Sequence, residues 1–241
     1  LLAKGAKWFD SAKALAQNVD VIISMVGYPQ DVAEIYLGEN GVIKNLKPQS
    51  IIIDMTTSSP KLAQEIYQEA QKYEIKSLDA PVSGGDVGAK NGTLAIMVGG
   101  DKEVYEEVLP IFEAMGKTIC YFGKAGSGQY AKMSNQIAIA SNMMGVCEAI
   151  AYAKKSGLNP DDVLKVISTG AAGSWSLSNL APRMLQGDFA PGFFIKHFIK
   201  DMKIAIESAD EMNLDLPGLK LAKSLYEKLA KEGYENNGTQ A

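Results

Sequence analysis

The chain has 241 residues, 46% hydrophobic and 22% charged, which is ordinary for a globular protein and excludes a disordered or collagen-like chain. Lys+Arg of 24 against Asp+Glu of 28 leaves a net charge of −4, so nothing points to nucleic acid or an anionic membrane as partner. The single histidine, His197, excludes a multi-histidine metal site, and no metal site is expected.

Five short runs rich in β-branched residues punctuate the first half: 20–26, 50–54, 76–80, 93–98 and 118–122. Ile51, Ile52 and Ile53 follow one another without polar alternation, as in a strand covered on both faces of a parallel sheet. Between the runs lie amphipathic segments at 11–17, 29–36, 60–73 and 101–115. Pro60 suits a first helical turn, with Ser58 or Ser59 before it as cap. Such alternation predicts βαβ units and an open α/β sheet.

After Gly128 the strand signals stop. A proline-free helical pattern runs over 129–155 and closes at Ser156-Gly157. Its apolar stretch at 137–150 predicts burial in a helical domain or a dimer interface. Further helical patterns cover 161–168, 177–185, 198–212 and 217–232. The expected organisation is an α/β domain over 1–124 and an all-α domain over 125–241. No apolar stretch reaches the ~18 residues of a membrane helix, and Cys120 and Cys147 read as isolated buried thiols of a reducing, cytoplasmic compartment.

Three clusters could carry chemistry. The first joins two strand ends, Met25-Val26-Gly27-Tyr28-Pro29 and Asp54-Met55-Thr56-Thr57-Ser58-Ser59-Pro60, beyond which open α/β sheets bind ligands. Plain turn chemistry explains the same residues. The second is Asp79-Ala80-Pro81-Val82-Ser83-Gly84-Gly85, with Gly88 and Gly92. It reads either as an anion-binding concavity suited to a carboxylate or as a hairpin-like turn. In the third, Lys132, Asn135 and Gln136 stand at i, i+3 and i+4, presenting an amine and two amides on one helical face. The positive end of the helix dipole, with burial, would make the neutral amine accessible for proton transfer. An exposed lysine among polar neighbours is the plainer alternative. Lys200-Asp201 reads as a solvated charge pair or a ligand contact, and Trp175 as a pocket wall or core.

Together these motifs resemble the β-hydroxyacid dehydrogenases, the group of 3-hydroxyisobutyrate dehydrogenase, tartronate semialdehyde reductase and, more distantly, 6-phosphogluconate dehydrogenase. The match rests on the 54–60 and 79–85 segments, Gly92-Thr93-Leu94, Met97-Val98-Gly99-Gly100, Gly126, Gly128, Lys132 and Lys200-Asp201, in family order. The resemblance implies a Rossmann-type NAD(P)-binding domain, a long linking helix and an all-α domain. It implies Lys132 as general acid/base and Ser83, Gly84 and Gly85 as holders of the substrate carboxylate. Asn135 and Gln136 would bind substrate, Gln136 standing where many members have asparagine. Val26, Gly27, Thr57 and Lys200 would border the cofactor, NAD or NADP. The substrate would be a small hydroxy acid, and the assembly a homodimer or homotetramer.

The family's Gly-x-Gly-x-x-Gly loop occurs nowhere in these residues, and the chain is expected to begin near the end of the second helix, ~30 residues into the family pattern. The closing helix is likewise expected to be cut short. Two rivals remain: a phosphosugar-acid dehydrogenase, which would want clustered arginines where only Arg183 exists, and a non-catalytic interaction module.

Overall fold

The computed structural model describes residues 1–241. They divide into two compact units, Leu1–Lys132 and Met133–Ala241, with the division falling inside one long helix.

The first unit alternates helices and strands: α1 (Ala12–Ala16), β1 (Val21–Ser24), α2 (Pro29–Leu37), β2 (Ile51–Asp54), α3 (Pro60–Lys72) and β3 (Lys76–Asp79). A two-residue strand β4 (Val82–Ser83), α4 (Gly85–Asn91), β5 (Leu94–Gly100), α5 (Lys102–Glu113) and β6 (Gly116–Gly123) complete it. Local chemistry sets the helix starts. Pro60 occupies the first turn of α3, and Ser59 accepts the Leu62 N–H at 3.3 Å.

Strands β1, β2 and β3 are parallel and in continuous register, Val21–Ile51–Lys76 through Ser24–Asp54–Asp79. The consecutive isoleucines of β2 are all buried, because helices cover both faces of this central strand. The sheet is nevertheless mixed. Strand β5 runs antiparallel to β3 and β4 and parallel to β6. Hydrophobic pattern records burial, not strand direction, and direction here is set by the β4–α4 excursion between β3 and β5. Two apolar clusters flank the sheet, one centred on Ile51, Ile53, Ile96 and Phe112, the other on Ile22, Val32, Tyr36 and Ile52.

The long helix α6 (Ser127–Lys155) leads into the second unit, which adds α7 (Pro160–Ile167), α8 (Trp175–Asn179), α9 (Ala181–Gln186), α10 (Ile195–Glu211) and α11 (Pro217–Leu229). Helix α6 is buried along one stripe, Met133, Gln136, Ala140, Met143, Val146, Ile150 and Ala153. Its opposite face, with Gly145, Cys147 and Tyr152, is exposed. Ile195, Phe198 and Met202 of α10 pack with Leu219, Ala222 and Tyr226 of α11 around the main core of this unit. No helix is long and apolar enough to cross a membrane.

Several expectations need correcting. The 177–185 segment forms two helices, because Pro182 lacks the N–H that would continue α8 and instead sits in the first turn of α9. Cys120 and Cys147 are exposed rather than buried: Cys120 lies on the outer strand β6 and Cys147 on the open face of α6. Trp175 is not core. It is 69% exposed at the first position of the short helix α8.

Candidate active site

The carboxyl ends of β1, β2 and β3 carry most of the polar groups of the first unit. Ser24 ends β1 and donates to Asp54 Oδ1 at 2.8 Å, while sharing a 2.7 Å hydrogen bond with the Tyr36 hydroxyl. Asp54 Oδ1 also accepts the Thr56 N–H at 3.1 Å. Thr56 Oγ1 in turn accepts the Val26 N–H at 3.0 Å, so the loops after β1 and β2 are tied together. Burial and the neighbouring Asp54 carboxylate push the Tyr36 phenol well above its usual range, so it stays neutral.

Asp79 plays the corresponding part at the end of β3. Its Oδ1 accepts the Gly126 N–H at 2.7 Å and its Oδ2 the Gln129 N–H at 2.8 Å, at the start of α6. Such N–H groups have no partner within the helix and need an acceptor. Burial pushes the Asp79 carboxyl up to about 6, against the opposing effect of the N–H bonds it accepts. The helix comes close here because glycines allow it. A Cβ on Gly99 would lie 2.6 Å from Asp79 Oδ1, and one on Gly128 only 2.3 Å from the Met97 carbonyl.

Gln129 is fully buried. Its Oε1 accepts the Ser58 N–H at 3.0 Å, and its Nε2 donates to the Thr56 carbonyl at 2.8 Å. One turn further on, Lys132 is the sixth residue of α6 and only 7% exposed. The plainer sequence alternative, an exposed lysine, is therefore overturned.

Ser83 closes the two-residue strand β4, which pairs with Ala95 of β5. Gly84 and Gly85 follow with φ of 128° and 61°, conformations open to glycine, and then α4 begins. The stretch is thus neither a free concavity nor a simple hairpin. Reading Gly84-Gly85 as a turn concealed the helix that follows it. Ser83 is half-buried and both glycines are exposed.

In the second unit, Gln136 is 1% exposed and its Nε2 donates to Asp201 Oδ2 at 2.6 Å. Asn135 Nδ2 donates to Gln136 Oε1 at 2.7 Å. Lys200 Nζ lies 2.9 Å from Asp201 Oδ1. The Lys200–Asp201 pair is buried, not solvated, with side chains 11% and 3% exposed. A charged pair in a helix reads as surface, and its amide partner lies 65 positions away, so the sequence carries no local sign of this burial. His197 packs its ring edge against Phe194, and burial with Lys200 and Lys196 nearby holds it below its usual range.

The strand-end residues fit a nicotinamide dinucleotide. Val26, Gly27 and Thr57 are only half-buried at the loop crests, and Ser58 Oγ is buried without a hydrogen-bond partner. Backbone and hydroxyl groups at these strand ends offer hydrogen-bond donors and acceptors to a ligand in the crevice beyond the strands. Asp54, Asp79 and Asp201 stood in the sequence motifs without a role of their own, and Gln129 was given none. The one available signal was an aspartate ending each of two apolar strands, since a buried carboxylate must find donors.

The crevice beyond such strand ends is where open α/β sheets hold ligands, and comparison with known proteins gives the class, an NAD(P)-linked oxidoreductase. Residues 1–123 match the family described as the NAD binding domain of 6-phosphogluconate dehydrogenase. Residues 126–241 match the family described as the NAD-binding of NADP-dependent 3-hydroxyisobutyrate dehydrogenase. The uncharacterized oxidoreductase YkwC of Bacillus subtilis (strain 168) is 64% identical over 241 residues, covering 100% of this chain and 84% of that protein. The 2-hydroxy-3-oxopropionate reductase of Escherichia coli (strain K12) is 38% identical over 233 residues, 97% of this chain and 80% of the reductase. The structure of Mycobacterium tuberculosis 3-hydroxyisobutyrate dehydrogenase with L-serine is similar at a TM-score of 0.88 and 30% identity, covering 97% and 81% of the two chains.

The chain belongs to the β-hydroxyacid dehydrogenase family, that of 3-hydroxyisobutyrate dehydrogenase. Its activity is that of an NAD(P)-dependent hydroxyacid dehydrogenase, and its cofactor is NAD or NADP.

Proposed function

We propose that the protein interconverts a small 3-hydroxy acid and its semialdehyde, with Lys132 as general acid/base. The observation that carries this reading is the burial of Lys132 one turn above a helix start fixed by Asp79 and Gln129. In oxidation, the neutral Lys132 amine takes the hydroxyl proton while the C–H bond at the same carbon breaks. The bound nicotinamide supplies the acceptor or donor of the hydride. In reduction, the Lys132 ammonium returns the proton to the carbonyl oxygen. A single buried amine serves both directions because one proton is exchanged per turnover.

Ser83, Gly84 and Gly85 are assigned to the substrate carboxylate, with one hydroxyl and exposed backbone at the glycines. Asn135 and Gln136 are assigned to the substrate's oxygens. The Gln136 amide is oriented by Asp201, leaving its second N–H to donate. Val26, Gly27, Thr57 and Lys200 are assigned to the cofactor. The first unit would then be the cofactor domain and the second the substrate and association domain, forming a homodimer or homotetramer. The exposed face of α6 at Gly145 and Tyr152 supports such association, and two free thiols support a reducing, cytoplasmic setting.

Two relatives support the substrate class, one a 2-hydroxy-3-oxopropionate reductase and the other crystallised with L-serine. Both molecules are three-carbon acids with oxygen at carbon 3. A phosphosugar acid is disfavoured because Arg183 is already held by Asp188 at 2.7 Å and by the Ala190 carbonyl at 2.6 Å. The test is NAD(P)H oxidation with 2-hydroxy-3-oxopropionate, methylmalonate semialdehyde and a phosphosugar acid's oxidised form in parallel. Turnover confined to the small semialdehydes is expected, and turnover confined to the phosphosugar would overturn the assignment.

A further inference from the structure

Asp79 does more than end a strand. Its two oxygens hold the N–H groups of Gly126 and Gln129, which straddle the start of α6. Two anchors on one carboxylate fix both the height and the rotation of the helix's first turn. A single capping bond would leave the helix free to turn about its axis. Gln129 then carries the constraint outward, because its side chain grips Ser58 N–H and Thr56 C=O. The glycine contacts at Gly99 and Gly128 close the remaining slack. Lys132 rides on this turn, three residues beyond Gln129.

We propose that Asp79 is a positioning residue for the reaction, setting through Gly126 and Gln129 the rotation of α6 that aims the Lys132 amine, and locking the 56–58 loop to the same frame. The proposal rests on the assignment of Lys132 as the proton-transfer group. Its leverage follows from geometry. A side-chain atom about 5 Å from a helix axis moves by about 2 Å when the helix turns by about 20°. Misplacement by about 1 Å is enough to cost about 100-fold in rate.

A purely structural role would leave the chemical step unchanged. Burial disfavours the ionised carboxylate, while the two N–H groups it accepts favour it. What the neutral amide of Asp79→Asn cannot do is accept two N–H groups at once, since its own NH2 would face one of them. The substitution therefore releases one anchor while keeping the volume.

The experiment compares the wild-type enzyme, Asp79→Asn and Lys132→Ala in kcat, KM and thermal melting, with a substrate deuterated at the oxidised carbon. For Asp79→Asn the expected result is a folded protein with a lowered melting temperature, since one N–H loses its acceptor, and KM nearly unchanged. Its kcat should fall about 10- to 100-fold with a larger deuterium isotope effect. Wild-type kcat in Asp79→Asn, with Lys132→Ala inactive, would overturn the positioning role alone. Full activity in Lys132→Ala would instead sink the underlying assignment. Should Asp79→Asn not fold, Gln129→Ala tests the other half of the proposal, the lock on the 56–58 loop, because it leaves both N–H anchors on the carboxylate and removes only the side-chain grip. A kcat equal to wild type there would also count against the proposal.

Discussion

The Gln136 amide is committed at both ends, its Nε2 to Asp201 and its Oε1 to Asn135. The full length of the glutamine side chain spans to Asp201. Gln136→Asn should therefore strand a buried carboxylate oxygen, costing about 1–3 kcal/mol. Denaturant unfolding would measure it, and an unchanged midpoint would show that the shorter side chain still reaches. Asp79 offers a second prediction at this scale. Its folded value of about 6 lies above the usual carboxylate range, so the folded state binds this proton more tightly than the unfolded chain. Its contribution to stability is then fully present below about pH 4 and is lost as pH rises through about 6. Unfolding free energies of wild type and Asp79→Asn should diverge by about 3 kcal/mol across that window, with the wild type losing ground. A constant difference between the two would contradict the raised value.

At the scale of elements, the start of α6 approaches β3 and β5 closely at glycines. Gly128→Ala would drive a Cβ into the Met97 and Asp79 carbonyls, whereas nothing lies within 4 Å of a Cβ at Gly145 on the same helix. Gly128→Ala should lower stability by about 1–3 kcal/mol. Gly145→Ala should raise it by about 0.5–1 kcal/mol through helix propensity. Thermal denaturation of the pair checks both signs, and equal effects would show that the close approach is not limiting. Most elements could be read from the sequence because their apolar spacing records which face is covered, as in Ile51–Ile53 or the stripe on α6. Strand direction in β5 left no such mark, and α4 was hidden by the two glycines that open it. Residue type alone nominated Lys132 and the 83–85 segment as candidates. The site was not legible at Asp79, Gln129 and Asp201, whose roles depend on partners about 50 to 70 positions away.

For the whole molecule, the two units divide the labour proposed for them, with strand-end hydroxyls in one and a buried amide–carboxylate–lysine chain in the other. A net charge of −4 gives no general attraction for anionic substrates. Recognition of a carboxylate must then be local, at backbone N–H groups and the few buried amines and amides. The account turns on one of those amines. The most direct measurement is turnover of Lys132→Ala on a small 3-hydroxy acid, with and without added primary amine. The account predicts a loss of about 10²–10⁴-fold and a partial return of rate that grows with amine concentration. Turnover equal to wild type without amine would contradict it.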